Sequence, residues 1–266
     1  MFTIIVCLKI TLDTSQLRPH GDRGAPKLDG APLRVSLLDE NALELAVQLK
    51  EEHGARIVAV SLVSGSAPRD LVLKALAIGA DEVVLIRDDT AFEADALATT
   101  AILAAAVRKL EPWSLLICGD GSSDQYNRQV GPRLADSLGL PSLTLVTKVQ
   151  LAGEQITVDR ALEEYVEVVE AKLPVLITVS PEINHPRLPT VLQIMGASRK
   201  PVTEWDLQDL GFPAATSAAG LAGLNTLKVT APPSERKRVA IEGESAEEIG
   251  RKLARIFVQE GLVKTT

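Results

Sequence analysis

The stretch Cys118-Gly119-Asp120-Gly121-Ser122-Ser123-Asp124-Gln125-Tyr126-Asn127-Arg128-Gln129-Val130-Gly131-Pro132 gathers the residue types that hold an anion. Gly119 and Gly121 would let a ligand come close to the backbone. Ser122, Ser123 and Asn127 carry hydroxyl and amide donors. A helix entered from this loop and running to about Leu138 would add unpaired N–H groups and a positive dipole end. Arg128 adds a charge partner for a phosphate. The set reads as a phosphate cradle. It matches neither GxxxxGK[ST] nor GxGxxG, and the same residues would also suit a turn that merely links strand to helix.

No catalytic set accompanies it. Ser122 has no histidine near it in sequence, and no GxSxG elbow occurs. Asp88-Asp89 and Glu163-Glu164 read as solvated turns. Asp39 reads as a helix cap, in a place where a cap also faces ligand. Cys7 and Cys118 fall at strand ends and read as small buried hydrophobes. There is no CxxC pair, and His20, His53 and His185 are scattered, which argues against zinc and iron–sulfur sites. Any chemistry is expected to be a cofactor's.

The elements that must position the loop follow from hydrophobic period. Phe2–Leu8, Arg56–Leu62, Glu82–Ile86 and Ser114–Cys118 are short apolar runs, expected as buried strands. Between them lie helical patterns: Asp39–Glu51 with Ala42, Leu43, Ala46 and Leu49 on one face, a helix capped by Ser66 and stopped by Gly79, and Ala94–Leu110. This alternation predicts βαβ units, a parallel sheet and ligands beyond the carboxyl ends of the strands. After Pro141 the pattern changes. Leu143–Leu151 and Gln155–Arg160 flank Gly153-Glu154 as a hairpin, and Glu167–Ala171 and Val175–Val179 continue the β character. Pro181–Pro201 is expected to be an extended, semi-rigid loop. From Val202 the pattern is loose, until an amphipathic helix over Ser245–Gln259 aligns Ile249, Leu253 and Phe257.

Composition bounds the class. A chain of 266 residues, 46% hydrophobic and 24% charged, can bury a large core. Only 3% is aromatic, so Val, Leu, Ile and Ala must build that core. The net charge of -7 argues against a general nucleic-acid binder. No apolar run approaches the ~18 residues of a membrane span, and Met1–Leu8 is too short for a signal peptide, so a soluble, intracellular, cytoplasmic protein is expected.

Several blocks, in order over roughly residues 2–201, resemble the β subunit of electron-transfer flavoproteins. They are Ile4-Ile5-Val6-Cys7-Leu8-Lys9, Leu38-Asp39-Glu40-Asn41-Ala42-Leu43-Glu44, Ala75-Leu76-Ala77-Ile78-Gly79-Ala80-Asp81, Gln129-Val130-Gly131-Pro132, Asn184-His185-Pro186-Arg187 and Ile194-Met195. The resemblance implies an α/β fold, with a parallel-sheet nucleotide-binding core of the adenine-nucleotide α-hydrolase-like type, added antiparallel strands and a C-terminal arm. It implies an electron carrier rather than an enzyme, paired with an α subunit that carries most of the FAD. The β site would hold AMP or, in a bifurcating member, a second FAD that accepts hydride from NADH. By position, the nucleotide would meet Cys7, Ser36–Asp39, Leu62 and the loop Gly119, Asp120, Gly121, Ser122, Ser123, Asp124, Asn127, Arg128, Gln129 and Val130. Lys9 and Thr11–Thr14 would approach the partner-held flavin.

The same resemblance divides the chain into a nucleotide-binding domain (1–183), a partner-recognition loop (184–201) and an arm with a final helix on the α subunit (202–266). In the recognition loop Pro186, Arg187, Leu188, Val191 and Met195 would meet an FAD-containing dehydrogenase. The chain departs from the family at Gly121–Tyr126, where bulky Tyr126 stands at a small acidic position, and in Glu163-Glu164-Tyr165. A homodimeric ATP- or AMP-binding sensor of the same fold is the alternative reading. An adenylating or nucleotide-cleaving enzyme ranks last, since no Ser-Gly-Gly-x-Asp-Ser loop is present.

Overall fold

The computed structural model describes residues 2–19, 26–27, 30–65, 67–227 and 239–263. The chain divides into two compact units, one of residues 1–18 and 26–229, the other of 19–25 and 230–266.

In the first unit, β1 (Thr3–Cys7) leads through β2 (Ile10–Leu12) and β3 (Leu33–Val35) to α1 (Leu37–His53). Then follow β4 (Arg56–Val63), α2 (Arg69–Ile78), β5 (Glu82–Arg87), α3 (Ala96–Lys109), β6 (Leu115–Gly119) and α4 (Val130–Leu138). Strands β7 (Ser142–Ala152), β8 (Gln155–Ala161), β9 (Val166–Lys172) and β10 (Val175–Val179) come next, then α5 (Val191–Ala197), β11 (Val202–Trp205) and the short α6 (Ala218–Leu221).

One sheet of nine strands, in the order β9-β8-β7-β10-β6-β1-β4-β5-β11, organises the unit. Pairs from β7–β10 through β5–β11 are parallel, and only β7–β8 and β8–β9 run antiparallel. The central strands are apolar throughout because helices cover both faces. Alternate residues divide cleanly between two cores. Ile4, Val6, Ile57, Ala59, Leu115 and Ile117 pack with α1 and α2, while Ile5, Cys7, Val58, Val60, Leu116 and Cys118 pack with α3 and α4. The period of two along each strand thus fixes which helix each side chain meets.

The structure corrects the sequence reading in several places. Ser36, not Asp39, is the N-cap of α1, and Asp39 lies within the first turn. The expected cap of α2, Ser66, lies outside the described residues, and Pro68 occupies the cap position. The Pro181–Pro201 segment is not extended throughout. It contains α5, started by a capping box in which Thr190 Oγ1 accepts from Gln193 N and the Gln193 side chain accepts from Thr190 N. Val202–Trp205, expected to open a loosely patterned arm, is a parallel edge strand on β5, and residues 202–227 belong to the first unit. Val175–Val179 is not appended but lies inside the sheet, parallel to β6 and β7.

The second unit contains α7 (Ala246–Gln259), capped by Ser245, whose hydroxyl accepts from Glu248 N. Ile249, Leu253 and Phe257 fall on one face at spacings of four. No helix among the described residues is long and apolar enough to cross a membrane.

Candidate functional site

The carboxyl ends of β1, β4 and β6 open into a cleft walled by Cys7–Ile10, Leu62–Ser64, the start of α3 and the loop from Cys118 to Gly131. This is where an open parallel sheet offers space and unpaired backbone groups to a ligand.

Asp39 is the keystone of the cleft floor. Its Oδ2 accepts from the backbone N–H of Lys9 at 2.7 Å, and its Oδ1 accepts from that of Gly119 at 3.1 Å. One carboxylate therefore ties the exits of the neighbouring strands β1 and β6 to the first turn of α1. Burial pushes its pKa up to about 7, against the pull of those two hydrogen bonds.

Lys9 makes the second tie. Its ammonium lies 2.7 and 2.8 Å from the two oxygens of Asp124 and 3.4 Å from Ser122 Oγ. Burial pushes the Asp124 carboxyl up, but the hydrogen bonds and charge of Lys9, with help from Ser122, outweigh it and hold the pKa down at about 2. The family resemblance implies that Lys9 approaches a partner-held flavin. In the fold its side chain braces the loop after β6.

The third tie lies at the far end of that loop. Arg128 Nε is 2.7 Å from Asp120 Oδ2, and Asp120 is buried. Thr178 of β10 donates to Asp120 Oδ1 at 2.9 Å. Arg128 Nη2 donates to the Tyr126 hydroxyl at 3.2 Å, and its guanidinium sits 4.8 Å from the centre of the Tyr126 ring. Tyr126 and Arg128 have φ of 50° and 56°. Left-handed backbone at a non-glycine residue costs roughly 1–2 kcal/mol, so neighbouring contacts must hold both residues there.

The two loop glycines are also required by the protein's own packing. A Cβ at Gly119 would lie 2.5 Å from Asp39 Oδ1 and 2.8 Å from Leu38 Cβ. A Cβ at Gly121 would lie 2.8 Å from the Tyr126 ring. Their missing side chains admit the protein's own α1 and its own tyrosine.

Of the residues picked from sequence, Cys7, Lys9, Asp39, Leu62, Gly119, Asp120, Gly121, Ser122, Asp124, Asn127, Arg128, Gln129 and Val130 line the cleft. Ser36 and Ser123 stand one layer behind, where Ser123 N donates to the buried Ser36 Oγ at 3.2 Å. The cysteines are free, buried and in contact, and the neighbouring Cys7 together with burial raises the Cys118 thiol pKa well above its ordinary value. This disfavours the thiolate form of Cys118. The sequence reading missed Val60, Phe92, Asp95 and Thr99, which also line the cleft. The signal was present: Phe92, Asp95 and Thr99 follow β5, whose carboxyl end opens on the same side.

The recognition-loop residues cluster apart from the cleft. Leu188, Val191, Leu192 and Met195 are 85, 73, 81 and 68% exposed. Pro186 is exposed as well. Arg187 is about one third exposed. Its guanidinium is spent on α1, 2.9 Å from the buried Glu44 and 2.5 Å from Glu51, which raises its pKa further above its ordinary value. Asn184 and Asn41 exchange hydrogen bonds beside it.

The donor set suits an anionic nucleotide. The lining includes the first turn of α4, the Arg128 guanidinium, the Ser122 hydroxyl and the Asn127 amide, together with apolar Leu62, Val63 and Ala67. No group of three or more His, Cys, Asp or Glu among the described residues could hold a metal ion.

A mostly parallel sheet covered by helices, with a loop-walled cleft at its strand ends, defines an α/β protein. Residues 29–210 match the family model of the electron transfer flavoprotein domain. The chain is also 39% identical over 241 residues, 91% of its length and 90% of the relative's, to the electron transfer flavoprotein subunit beta of Clostridium acetobutylicum. It belongs to the electron transfer flavoprotein family, among the β subunits, and that family is one of electron carriers.

Proposed function

We propose that this chain is the β subunit of a heterodimeric electron-transfer flavoprotein and that its cleft holds an adenine nucleotide. The observation that carries the reading is the braced loop 119–130. Three separate ties, from Asp39, Lys9 and Thr178, fix a loop that ends at a helix N-terminus and an arginine. Rigid donors held before the ligand arrives reduce the ordering cost of binding.

In this reading the transferring FAD sits largely on the α subunit, and the β cleft takes AMP or a second FAD. When bound, flavin supplies the electron-carrying chemistry. This chain's residues bind and orient: the first turn of α4 and Arg128 face phosphate, and the apolar wall by Leu62 faces a ring. The exposed segment from Leu188 to Met195 meets an FAD-containing dehydrogenase. The apolar stripe of α7 packs on the α subunit.

Co-expression with the α subunit, followed by denaturation of the purified pair and identification of the released nucleotides, tests the reading. One FAD with one AMP marks simple transfer. Two FAD mark a bifurcating carrier that draws hydride from NADH. A chain that pairs with nothing, or a pair that releases no nucleotide beyond the α subunit's flavin, refutes it.

A further inference from the structure

We propose that Arg128 is the residue that recognises the nucleotide's phosphate, and that Asp120 and Tyr126 are positioning residues that aim it. The inference rests on the cleft being a nucleotide site and goes beyond it by assigning the discrimination between nucleotide and nucleoside.

The geometry singles out Arg128. It lines the cleft beside the start of α4, yet three of its surroundings are fixed by the protein. Nε lies 2.7 Å from Asp120 Oδ2 as an ion pair without an aligned hydrogen bond, Nη2 is bonded to the Tyr126 hydroxyl, and the guanidinium lies near the Tyr126 ring. Among the described residues Nη1 makes no hydrogen bond. Asp120 is itself immobile, since its other oxygen accepts from Thr178 and its backbone N–H donates to Val179 O. The φ values of 50° at Tyr126 and 56° at Arg128 direct both side chains from one tight bend. Strain of that kind persists where contacts on several sides impose it.

Arg128 is half exposed, and an arginine that only faced solvent would need none of this. A free guanidinium loses rotamer freedom when it grips a phosphate, whereas one already held loses little. The buried carboxylate supplies the hold and leaves a donor edge uncommitted.

The test uses the full-length chain, freed of nucleotide and titrated with AMP and with adenosine. Wild type should bind AMP more tightly than adenosine. Arg128→Met should weaken AMP by about 10- to 100-fold and leave adenosine unchanged, the size expected for a charge-assisted phosphate contact. Arg128→Lys should recover part of the loss. Asp120→Asn and Tyr126→Leu should each weaken AMP several-fold without touching adenosine. Should Asp120→Asn fail to fold, Tyr126→Leu, which leaves Asp120 and its ion pair with the half-exposed Arg128 in place, decides the positioning claim.

AMP binding unchanged in Arg128→Met, or equal losses for AMP and adenosine, overturns the assignment. Tighter AMP binding in Asp120→Asn would show that the carboxylate competes with phosphate and overturns its positioning role. Wild type that binds neither compound refutes the nucleotide site itself, whereas failure of the Arg128 variants alone refutes only this inference.

Discussion

Lys9 and Asp124, 115 residues apart in the chain, meet as an ion pair with Nζ 2.7 Å from Oδ2. The pair joins the exit of β1 to the middle of the loop after β6, so the loop's position is set by a residue no local pattern links to it.

That pair has a modest energetic weight and a defined pH range. Its side chains are 41 and 21% exposed, so solvent screens it, and Asp124→Asn should cost about 1 kcal/mol or less at pH 7. The folded-state pKa of Asp124 is depressed to about 2, so its contribution is complete above about pH 4 and is lost as pH falls through about 2. Urea unfolding of both proteins at pH 7 and pH 2.5 should show the gap shrinking. A gap that widens on acidification would contradict the pair's role.

Asp39 gives the opposite slope. Its folded-state pKa of about 7 lies above its ordinary 3.8, so the folded chain holds more protons than the unfolded one between those values. Stability attributable to Asp39 therefore falls as pH rises through that window. In Asp39→Asn this slope should vanish. The stability difference between wild type and variant should shift by roughly 2–3 kcal/mol in the variant's favour between pH 5 and pH 8. A constant difference across that range would mean the carboxylate is charged throughout.

Much of the sheet was legible because its strands are self-announcing. Ile4 and Ile5, or Leu116 and Ile117, are adjacent apolar residues that enter opposite cores, which only a strand covered on both faces permits. The loop 119–130 was legible from its residue types. Its bracing was not, because Asp39 reaches Gly119 across 80 residues and Thr178 reaches Asp120 across 58. The strand Val202–Trp205 escaped notice for a related reason. It is four residues long, half exposed and paired only with β5, so a distant neighbour decides its conformation. Helix α5 spans seven residues, too few to display a period, and only the Thr190-x-x-Gln193 capping box announced it.

The loop glycines separate packing from binding. Gly119→Ala drives a methyl into Leu38 and Asp39 and should destabilise the fold by about 1–3 kcal/mol, read as a lowered Tm. Gly121→Ala meets the Tyr126 ring at 2.8 Å and must displace it, so it should cost about 1 kcal/mol and loosen the Tyr126 contact with Arg128. Gly121→Asp adds a negative charge to the expected phosphate path and should empty the nucleotide site while the chain stays folded. Full nucleotide stoichiometry in Gly121→Asp would defeat the assignment of this loop.

The exposed segment after Arg187 is anchored in part by Arg187 and would act through other residues, and substitution can separate the two. Arg187→Ala strips the counter-ion from Glu44, which is 3% exposed in its side chain, and should cost about 3 kcal/mol. Leu188→Glu with Leu192→Glu removes 85 and 81% exposed apolar side chains, so it should leave stability within about 0.5 kcal/mol. If this surface docks a dehydrogenase, the double variant should retain its nucleotide and its Tm yet lose electron transfer from that partner. The loss should appear as weaker association, because two charges would have to be desolvated in an apolar contact. Undiminished transfer in the double variant would place the docking surface elsewhere. A fall in Tm as large as that of Arg187→Ala would show instead that the leucines belong to the fold.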